Sequence, residues 1–262
     1  MFKTNRILVA SLFLILTTVG VLAVTAQRSV TPAKKVLMVL TSTSTLGNTG
    51  QRTGFHFSEA TYPHDVFTRA GFEVDFVSPN GGEAPRYYVD LKDRVNLAFF
   101  MNPFSMDKVK NTFNPSQINP ANYHVIFYVG GTGAMWDLPH NKKLDQIAVS
   151  IYEQGGIVAA ICHGPAGLVN ARLSNGKYLI DGKTLTSFSN EEEEASGLIK
   201  VVPFLLETAL IDRGARFVKA AVYQPKVVVS ERLVTGQNPA SALEMSDRIV
   251  KLLQNEISSP SS

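Results

Sequence analysis

Cysteine and tryptophan are the scarcest residues of this 262-residue chain, which has one of each. A single cysteine cannot form an intrachain disulfide, so its thiol stays free wherever the chain resides. The net charge is only +3, and no lysine and arginine cluster alternates with aromatic residues. Nucleic acid is therefore not a predicted partner. The five histidines lack close paired spacing, so no metal site is predicted, and no cofactor is expected.

Hydrophobic residues make up 45% of the chain, and no internal repeat is visible. This content is enough to bury one full core, so the sequence predicts a single domain. We place it at residues 35–256, after a linker at 27–34 and before a short disordered tail at 257–262.

The N-terminal segment, residues 1–26, differs from the rest. Lys3 and Arg6 precede an uncharged stretch that reaches Val24, and small residues follow up to Ala26. This pattern is typical of a signal peptide cleaved after Ala26, and it predicts export to the periplasm or the extracellular space. The alternative is an uncleaved anchor, a single N-terminal transmembrane helix, because the stretch approaches the length that spans a bilayer. Only then is the membrane a predicted partner.

Short apolar runs alternate with helical patterns along the domain, which predicts an α/β fold with a mainly parallel sheet covered on both faces. The predicted strands are 36–40, 73–77, 124–129, 157–161 and 183–188, with a hairpin at 227–230 and 232–235. The predicted helices lie around Glu59, at 144–152, at 202–213, and from an Asn238 N-cap to about 254. Residues 83–121 show no strong period and are predicted to be an irregular, cap-like insertion.

The single cysteine lies in GGIVAAICHGPAGL, residues 155–168. The apolar run Ile157–Ile161 predicts a buried strand, and Gly164 opens a turn into a predicted helix. A turn of this kind exposes a nucleophile at the edge of a sheet, and a helix N-terminus favours the thiolate. His163 adds an imidazole beside Cys162. The pattern therefore favours a catalytic cysteine over a buried, inert one.

Five separated stretches resemble the DJ-1/PfpI superfamily in order and spacing. They are GFHFSEATYPHDVFTRAGFEVDFVSPNGG (54–82), YHVIFYVGGTGAMWDLP (123–139), GGIVAAICHGPAGL (155–168), LTSFSNEEE (185–193) and RLVTGQNPAS (232–241). The branch most similar is the Hsp31-like, glutathione-independent glyoxalases. The resemblance implies a flavodoxin-like three-layer sandwich related to class I glutamine amidotransferases, and a homodimer. Members convert methylglyoxal to lactate without glutathione, and some are described as stress-response chaperones or deglycases.

The resemblance also implies roles for individual residues. Cys162 matches the nucleophile and His163 its partner, while Glu59 matches the carboxylic acid beside the sulfur. A protonated Glu59 can donate a hydrogen bond to the thiolate, and its carboxylate can move a proton on the substrate carbons.

Four consecutive glutamates supply the predicted third acid. Such a run is ordinarily a solvated helix start, and this interpretation is expected to hold for at least three of the four. The resemblance selects Glu193, with Glu192 or Glu194 as the alternative after a one-residue shift of the alignment.

Gly130 and Gly131 follow a predicted strand, where backbone N–H groups can approach an oxyanion. We predict that Gly131 N–H and an N–H of the cysteine turn hold it, and that Gly130, Gly131 and Thr132 contact the substrate. Many members of the branch carry histidine where this chain has Thr132, which affects the expected substrate preference. Structural or surface roles are predicted for the other histidines, His56, His64, His124 and His140.

The predicted function is conversion of a small 2-oxoaldehyde to a 2-hydroxy acid through a Cys162 hemithioacetal, with Glu59 and His163 moving protons through an enediol. Two alternatives stay open. One is a cysteine amidase or peptidase, although a Cys–His–acid triad does not need Glu59 at the sulfur. The other is a non-catalytic holdase or a redox-sensing module in which Cys162 is oxidised.

Overall fold

The computed structural model describes residues 34–258. The signal peptide predicted for residues 1–26, most of the predicted linker and residues 259–262 of the predicted tail lie outside this range. Between residues 34 and 258, no helix combines the length and the hydropathy needed to cross a bilayer.

A six-stranded sheet organises the molecule. The strands of the described chain are β1 (Lys35–Val39), β2 (Phe55–His56), β3 (Glu73–Val77), β4 (Arg86–Tyr87), β5 (Val125–Tyr128), β6 (Ile157–Ile161), β7 (Thr184–Leu185), β8 (Arg216–Phe217), β9 (Val227–Ser230) and β10 (Leu233–Gly236). The sheet order is β3–β1–β5–β6–β10–β9, and only the β10–β9 pair is antiparallel. Its parallel core has the doubly wound, flavodoxin-like order, so the predicted fold class is confirmed.

Helices cover both faces of this sheet. They are α1 (Phe57–Arg69), α2 (Arg94–Met101), α3 (Pro103–Lys110), α4 (Ala134–Asp137), α5 (Lys142–Glu153), α6 (Asn190–Ala195), α7 (Leu206–Asp212) and α8 (Ala242–Ser258). The side chains of β1 point alternately to the two faces of the sheet. Val36 and Met38 pack in one hydrophobic cluster with α1 and α8, and Leu37 and Val39 pack in a second cluster with α5. This alternation produces the three layers.

The predicted insertion at 83–121 is not irregular. It contains β4, α2 and α3, and side chains cap both helices: Asp93 accepts hydrogen bonds from the first turn of α2, and Asn102 does so for α3. Each helix has eight residues, which is too short for a clear period in the sequence.

The predicted strand at 183–188 is mostly wrong. Only β7 forms, and it pairs with β8 outside the central sheet. Beyond β7 the backbone bonds elsewhere: Thr186 N–H donates to the Thr235 hydroxyl, and Phe188 N–H donates to the Cys162 carbonyl. This segment therefore braces the cysteine turn instead of extending the sheet.

Two helix predictions need correction. Helix α7 begins at Leu206 rather than at 202, and Asn238 does not cap α8, which follows a 3₁₀ turn at Pro239–Ser241. The Asn238 amide instead donates to the Glu192 carboxyl and to the Gln224 carbonyl. Tertiary partners outcompete the local cap here.

Candidate active site

Cys162 follows directly after β6 in a strained conformation, with φ of +58°. For a residue with a Cβ this costs about 1–2 kcal/mol. Two main-chain hydrogen bonds hold it, from Cys162 N–H to the Gly236 carbonyl and from Phe188 N–H to the Cys162 carbonyl, each 2.9 Å. The element that follows is a five-residue 3₁₀ helix, Gly164–Leu168, rather than the predicted α-helix. Its dipole is correspondingly small.

His163 connects the sulfur to an acid. The Cys162 Sγ lies 3.5 Å from His163 Nδ1, and His163 Nε2 lies 2.9 Å from Glu193 Oε2. Because a carboxylate only accepts, this contact places the proton on Nε2 and leaves Nδ1 to receive the thiol proton. The Phe188 ring lies 4.6 Å from the imidazole and restricts its orientation.

Helix α6 explains why Glu193 is the glutamate that reaches His163. Ser189 and Glu192 form a capping box, and Glu193 stands on the buried side of the first turn. The solvated interpretation of the glutamate run therefore holds for Glu191 and Glu194 only. Glu192 is buried as well, where it accepts hydrogen bonds from Ser189 N–H, Tyr223 N–H and the Asn238 amide.

Glu59 is a second acidic residue beside the sulfur. It stands in the first turn of α1, is fully buried, and accepts a hydrogen bond of 2.9 Å from Gly130 N–H. A Cβ at Gly130 would overlap both the Glu59 carboxyl and the Cys162 side chain. Glycine is needed at this position so that the carboxyl and the sulfur can meet.

Gly131 has φ of +101°, a conformation that favours glycine. Its N–H and the His163 N–H face the Cys162 sulfur, where they lower the pKa of the thiol. The oxyanion role of Gly131 N–H stays a prediction. Thr132 is buried at the next position.

The chain matches the sequence profile of a known protein family. The DJ-1/PfpI family profile matches residues 51–252, most of the described chain. The chain belongs to the DJ-1/PfpI family. This match includes all the residues of the site described above.

Individual relatives identify the Hsp31-like branch of the DJ-1/PfpI family. The glutathione-independent glyoxalase HSP31 of Saccharomyces cerevisiae is 34% identical over 239 residues, which is 85% of this chain and 99% of the relative. Glyoxalase 3 of Candida albicans is 29% identical over 238 residues, which is 82% of this chain and 97% of the relative.

Solved structures show the same fold. Rapid Encystment Protein 24 kDa of Francisella tularensis is 37% identical, with a TM-score of 0.82 over 84% of this chain and 99% of its own. Glyoxalase III of Candida albicans is 29% identical, with a TM-score of 0.78 over 83% of this chain and 96% of its own.

In this family member a cavity of about 360 Å³ lies over the site. Its walls include His163, Thr132, His56, Tyr88 and Phe188. Cys162 is 4% exposed. The volume is within the range of small-molecule sites. Among residues 34–258, no group of three or more acidic, histidine or cysteine side chains is arranged to hold a metal ion.

Burial controls the protonation of the two central groups. Desolvation raises the pKa of Glu59 to about 8, against the opposing hydrogen bonds from Cys162 and Gly130 N–H. Burial, and then the Glu59 carboxyl, raise the pKa of the Cys162 thiol, although the N–H groups of Gly131 and His163 lower it. Burial therefore opposes the thiolate that the helix N-terminus was predicted to favour. Glu59 is protonated at neutral pH, and Cys162 rests as a thiol beside its base.

Glu59→Gln is expected to stabilise the protein at neutral pH. The pKa of the Glu59 carboxyl is about 8 in the folded protein, against 4.5 for a glutamate that is not buried. The folded state therefore binds the proton more tightly. The protonated Glu59 carboxyl contributes fully to stability below pH 4.5, and this contribution is lost as pH rises towards 8. The variant, which cannot ionise, should match wild type near pH 4 and exceed it by on the order of 3 kcal/mol at pH 7. Urea unfolding at both pH values checks this, and equal stability at pH 7 would contradict it.

One residue of the site was missed. His56, predicted to have a structural or surface role, precedes α1 and lies in the cavity wall, where its ring stacks on Tyr88 with centroids 5.2 Å apart. Desolvation and then the nearby His163 lower the pKa of His56 to about 4. The sequence held one signal: His56 and Glu59 are three residues apart, which places them on one face of a helix start.

Proposed function

We propose that this protein is a glutathione-independent glyoxalase that converts methylglyoxal-type 2-oxoaldehydes to 2-hydroxy acids, with Cys162 as nucleophile. The observation that carries the proposal is the buried, protonated carboxyl of Glu59 beside the sulfur, in addition to the His163–Glu193 pair. A cysteine amidase or peptidase would need the His163–Glu193 pair but not a second carboxyl at the sulfur. The names of the relatives support the same activity.

The first step is addition of Cys162 Sγ to the aldehyde carbon. The thiol proton passes to His163 Nδ1, which lies 3.5 Å from the sulfur, while Glu193 stabilises the resulting imidazolium. The aldehyde oxygen takes the proton of Glu59, which gives a neutral hemithioacetal and leaves Glu59 as a carboxylate.

The second step moves a hydrogen between the two substrate carbons. The Glu59 carboxylate removes the proton from the former aldehyde carbon, and the neighbouring ketone oxygen takes the proton held by His163. Glu59 then gives its proton to the former ketone carbon. The hydroxyl on the former aldehyde carbon passes its proton to Glu59, and a thioester forms at that carbon. One carbon is oxidised and the other is reduced, so no external oxidant or cofactor takes part.

Hydrolysis completes the cycle. His163 Nδ1 removes a proton from water, the hydroxide attacks the thioester carbonyl, and the protonated His163 returns the proton to the leaving sulfur. The products are the 2-hydroxy acid and the Cys162 thiol. The same pair thus serves capture and release.

The proposal is tested by incubating the purified protein with methylglyoxal in the absence of any added thiol and measuring lactate. Formation of lactate in proportion to enzyme is expected. If the protein makes no lactate at millimolar substrate but hydrolyses amides or esters through Cys162, the amidase alternative replaces the glyoxalase.

Glu193→Gln is expected to lower kcat by about a hundredfold, because the amide cannot stabilise the His163 imidazolium and can reverse the ring tautomer. Folding should change little, since the Ser189–Glu192 capping box remains. Glu191→Gln is the matched control: Glu191 is on the same helix, is exposed, and forms an ion pair with Lys219 at 3.2 Å. Lactate kinetics with thermal melts check both variants. Equal, small effects at both positions would remove Glu193 from the mechanism.

A further inference from the structure

Two buried polar atoms of the site face each other without being bonded. His56 Nδ1 lies 3.9 Å from Glu59 Oε1, too far for a hydrogen bond. Neither atom has another hydrogen-bond partner among the residues that the structure describes. The Glu59 side chain is fully buried and that of His56 is 15% exposed. Buried polar atoms are normally satisfied, so this pair requires an explanation.

The geometry of the pair fits one shared oxygen. An atom about 2.8 Å from each of two groups 3.9 Å apart is within hydrogen-bond distance of both. A protonated Glu59 is a donor, and a neutral imidazole with its proton on Nδ1 is a second donor. A carbonyl or alkoxide oxygen, which accepts two hydrogen bonds, satisfies both atoms together.

The position of the pair agrees with the substrate oxygen. Glu59 contacts the Cys162 sulfur, and His56 lines the cavity together with His163 and Thr132. An aldehyde carbon bonded to the sulfur would place its oxygen within reach of the Glu59 carboxyl, which contacts the same sulfur. The N–H groups of Gly131 and His163 face the sulfur, where they lower the pKa of the thiol.

We propose that His56 Nδ1–H and the Glu59 carboxyl form the oxyanion site of this enzyme, and that His56 is a further catalytic residue that stabilises the aldehyde oxygen as the sulfur adds. The inference rests on the proposed function for the identity of the aldehyde. Glu59 supplies the proton that this oxygen receives, and His56 keeps its own proton throughout. The charge develops between two side chains rather than at the double glycine.

The test separates carbonyl addition from sulfur reactivity. His56→Phe keeps an aromatic ring for Tyr88 but removes the donor, whereas His56→Asn keeps an N–H close to the Nδ1 position. We expect His56→Phe to slow methylglyoxal addition to Cys162, followed by rapid-quench mass spectrometry, by about a hundredfold, and His56→Asn to recover most of it. Alkylation by iodoacetamide should proceed at the wild-type rate in both, because displacement at carbon creates no oxyanion.

His64→Phe is the matched control. His64 is another largely buried histidine of the same segment, where it packs on Phe76 and Phe99 away from the cavity over Cys162. It should leave both rates unchanged. If His56→Phe adds methylglyoxal at the wild-type rate, or if it slows addition and alkylation equally, the oxyanion role of His56 is overturned. Failure of the wild type to make lactate, with addition still dependent on His56, would overturn the proposed function alone.

Discussion

Replacing Cys162 with serine is expected to leave no measurable conversion of methylglyoxal to lactate, a loss of at least about a thousandfold. A hydroxyl is a much weaker acid than a thiol, and His163 is placed to accept a proton across the longer 3.5 Å contact to sulfur. Burial already raises the pKa of the Cys162 thiol. At this position an alkoxide is harder still to form, so capture of the aldehyde fails at the first step.

Folding can be separated from chemistry in this experiment. Serine is only slightly smaller than cysteine, and the φ of +58° is no harder for serine to adopt, so thermal melting should remain close to wild type. Because Cys162 is the only cysteine, loss of thiol titration confirms the substitution. Lactate formation by Cys162→Ser above a tenth of the wild-type rate would exclude Cys162 as the nucleophile.

Glu59→Gln is expected to capture methylglyoxal but to lose turnover by about a hundredfold or more. The amide still accepts the hydrogen bond from Gly130 N–H and still donates one to the substrate oxygen. In this variant that oxygen takes the thiol proton held by His163 in place of the Glu59 proton, so capture continues. It cannot take a proton from one substrate carbon and return it to the other. The enzyme should therefore accumulate as the hemithioacetal, which intact mass measurement detects as one added methylglyoxal.

Glu59→Asp is the matched comparison, because it keeps a titratable carboxyl on a shorter side chain. It should retain more turnover than Glu59→Gln and accumulate less adduct. If Glu59→Gln turns over normally, or if it neither captures nor turns over, Glu59 does not move the proton between the carbons. The expected gain in stability of Glu59→Gln at pH 7 makes the loss of activity independent of any loss of fold.

The local sequence was sufficient for the framework of the site. Short runs rich in apolar residues predicted the parallel strands, with 73–77 and 157–161 matching the structure residue for residue. Carboxyl ends of adjacent parallel strands meet at one edge, so the nearness of Gly130 and Cys162 followed from the strand order. The positions of 183–188 and Asn238 did not follow, because both are set by partners distant in the chain.

Which glutamate lies against His163 depends on a shift of one residue along α6. All four glutamates are chemically equal in the sequence, and the structure separates them by the helix rotation that a Ser189 capping box imposes. Glu193 faces His163, Glu192 is bound in a separate buried network, and Glu191 and Glu194 face solvent. A helix start places successive residues about 100° apart, so a one-residue shift of the alignment would have selected a glutamate on a different side of α6.

The sequence by itself determined the fold class, the buried strand that precedes the cysteine turn, and the adjacency of Cys162 and His163, because these depend on local periodicity and on turn chemistry. Only the tertiary structure decided the chemical state of the site. Burial makes Glu59 an acid with a pKa of about 8 and keeps Cys162 a thiol. Long-range packing brings that acid against Gly130 N–H and the Cys162 sulfur. Desolvation and distance are properties of the assembled core, and residue type alone does not specify them.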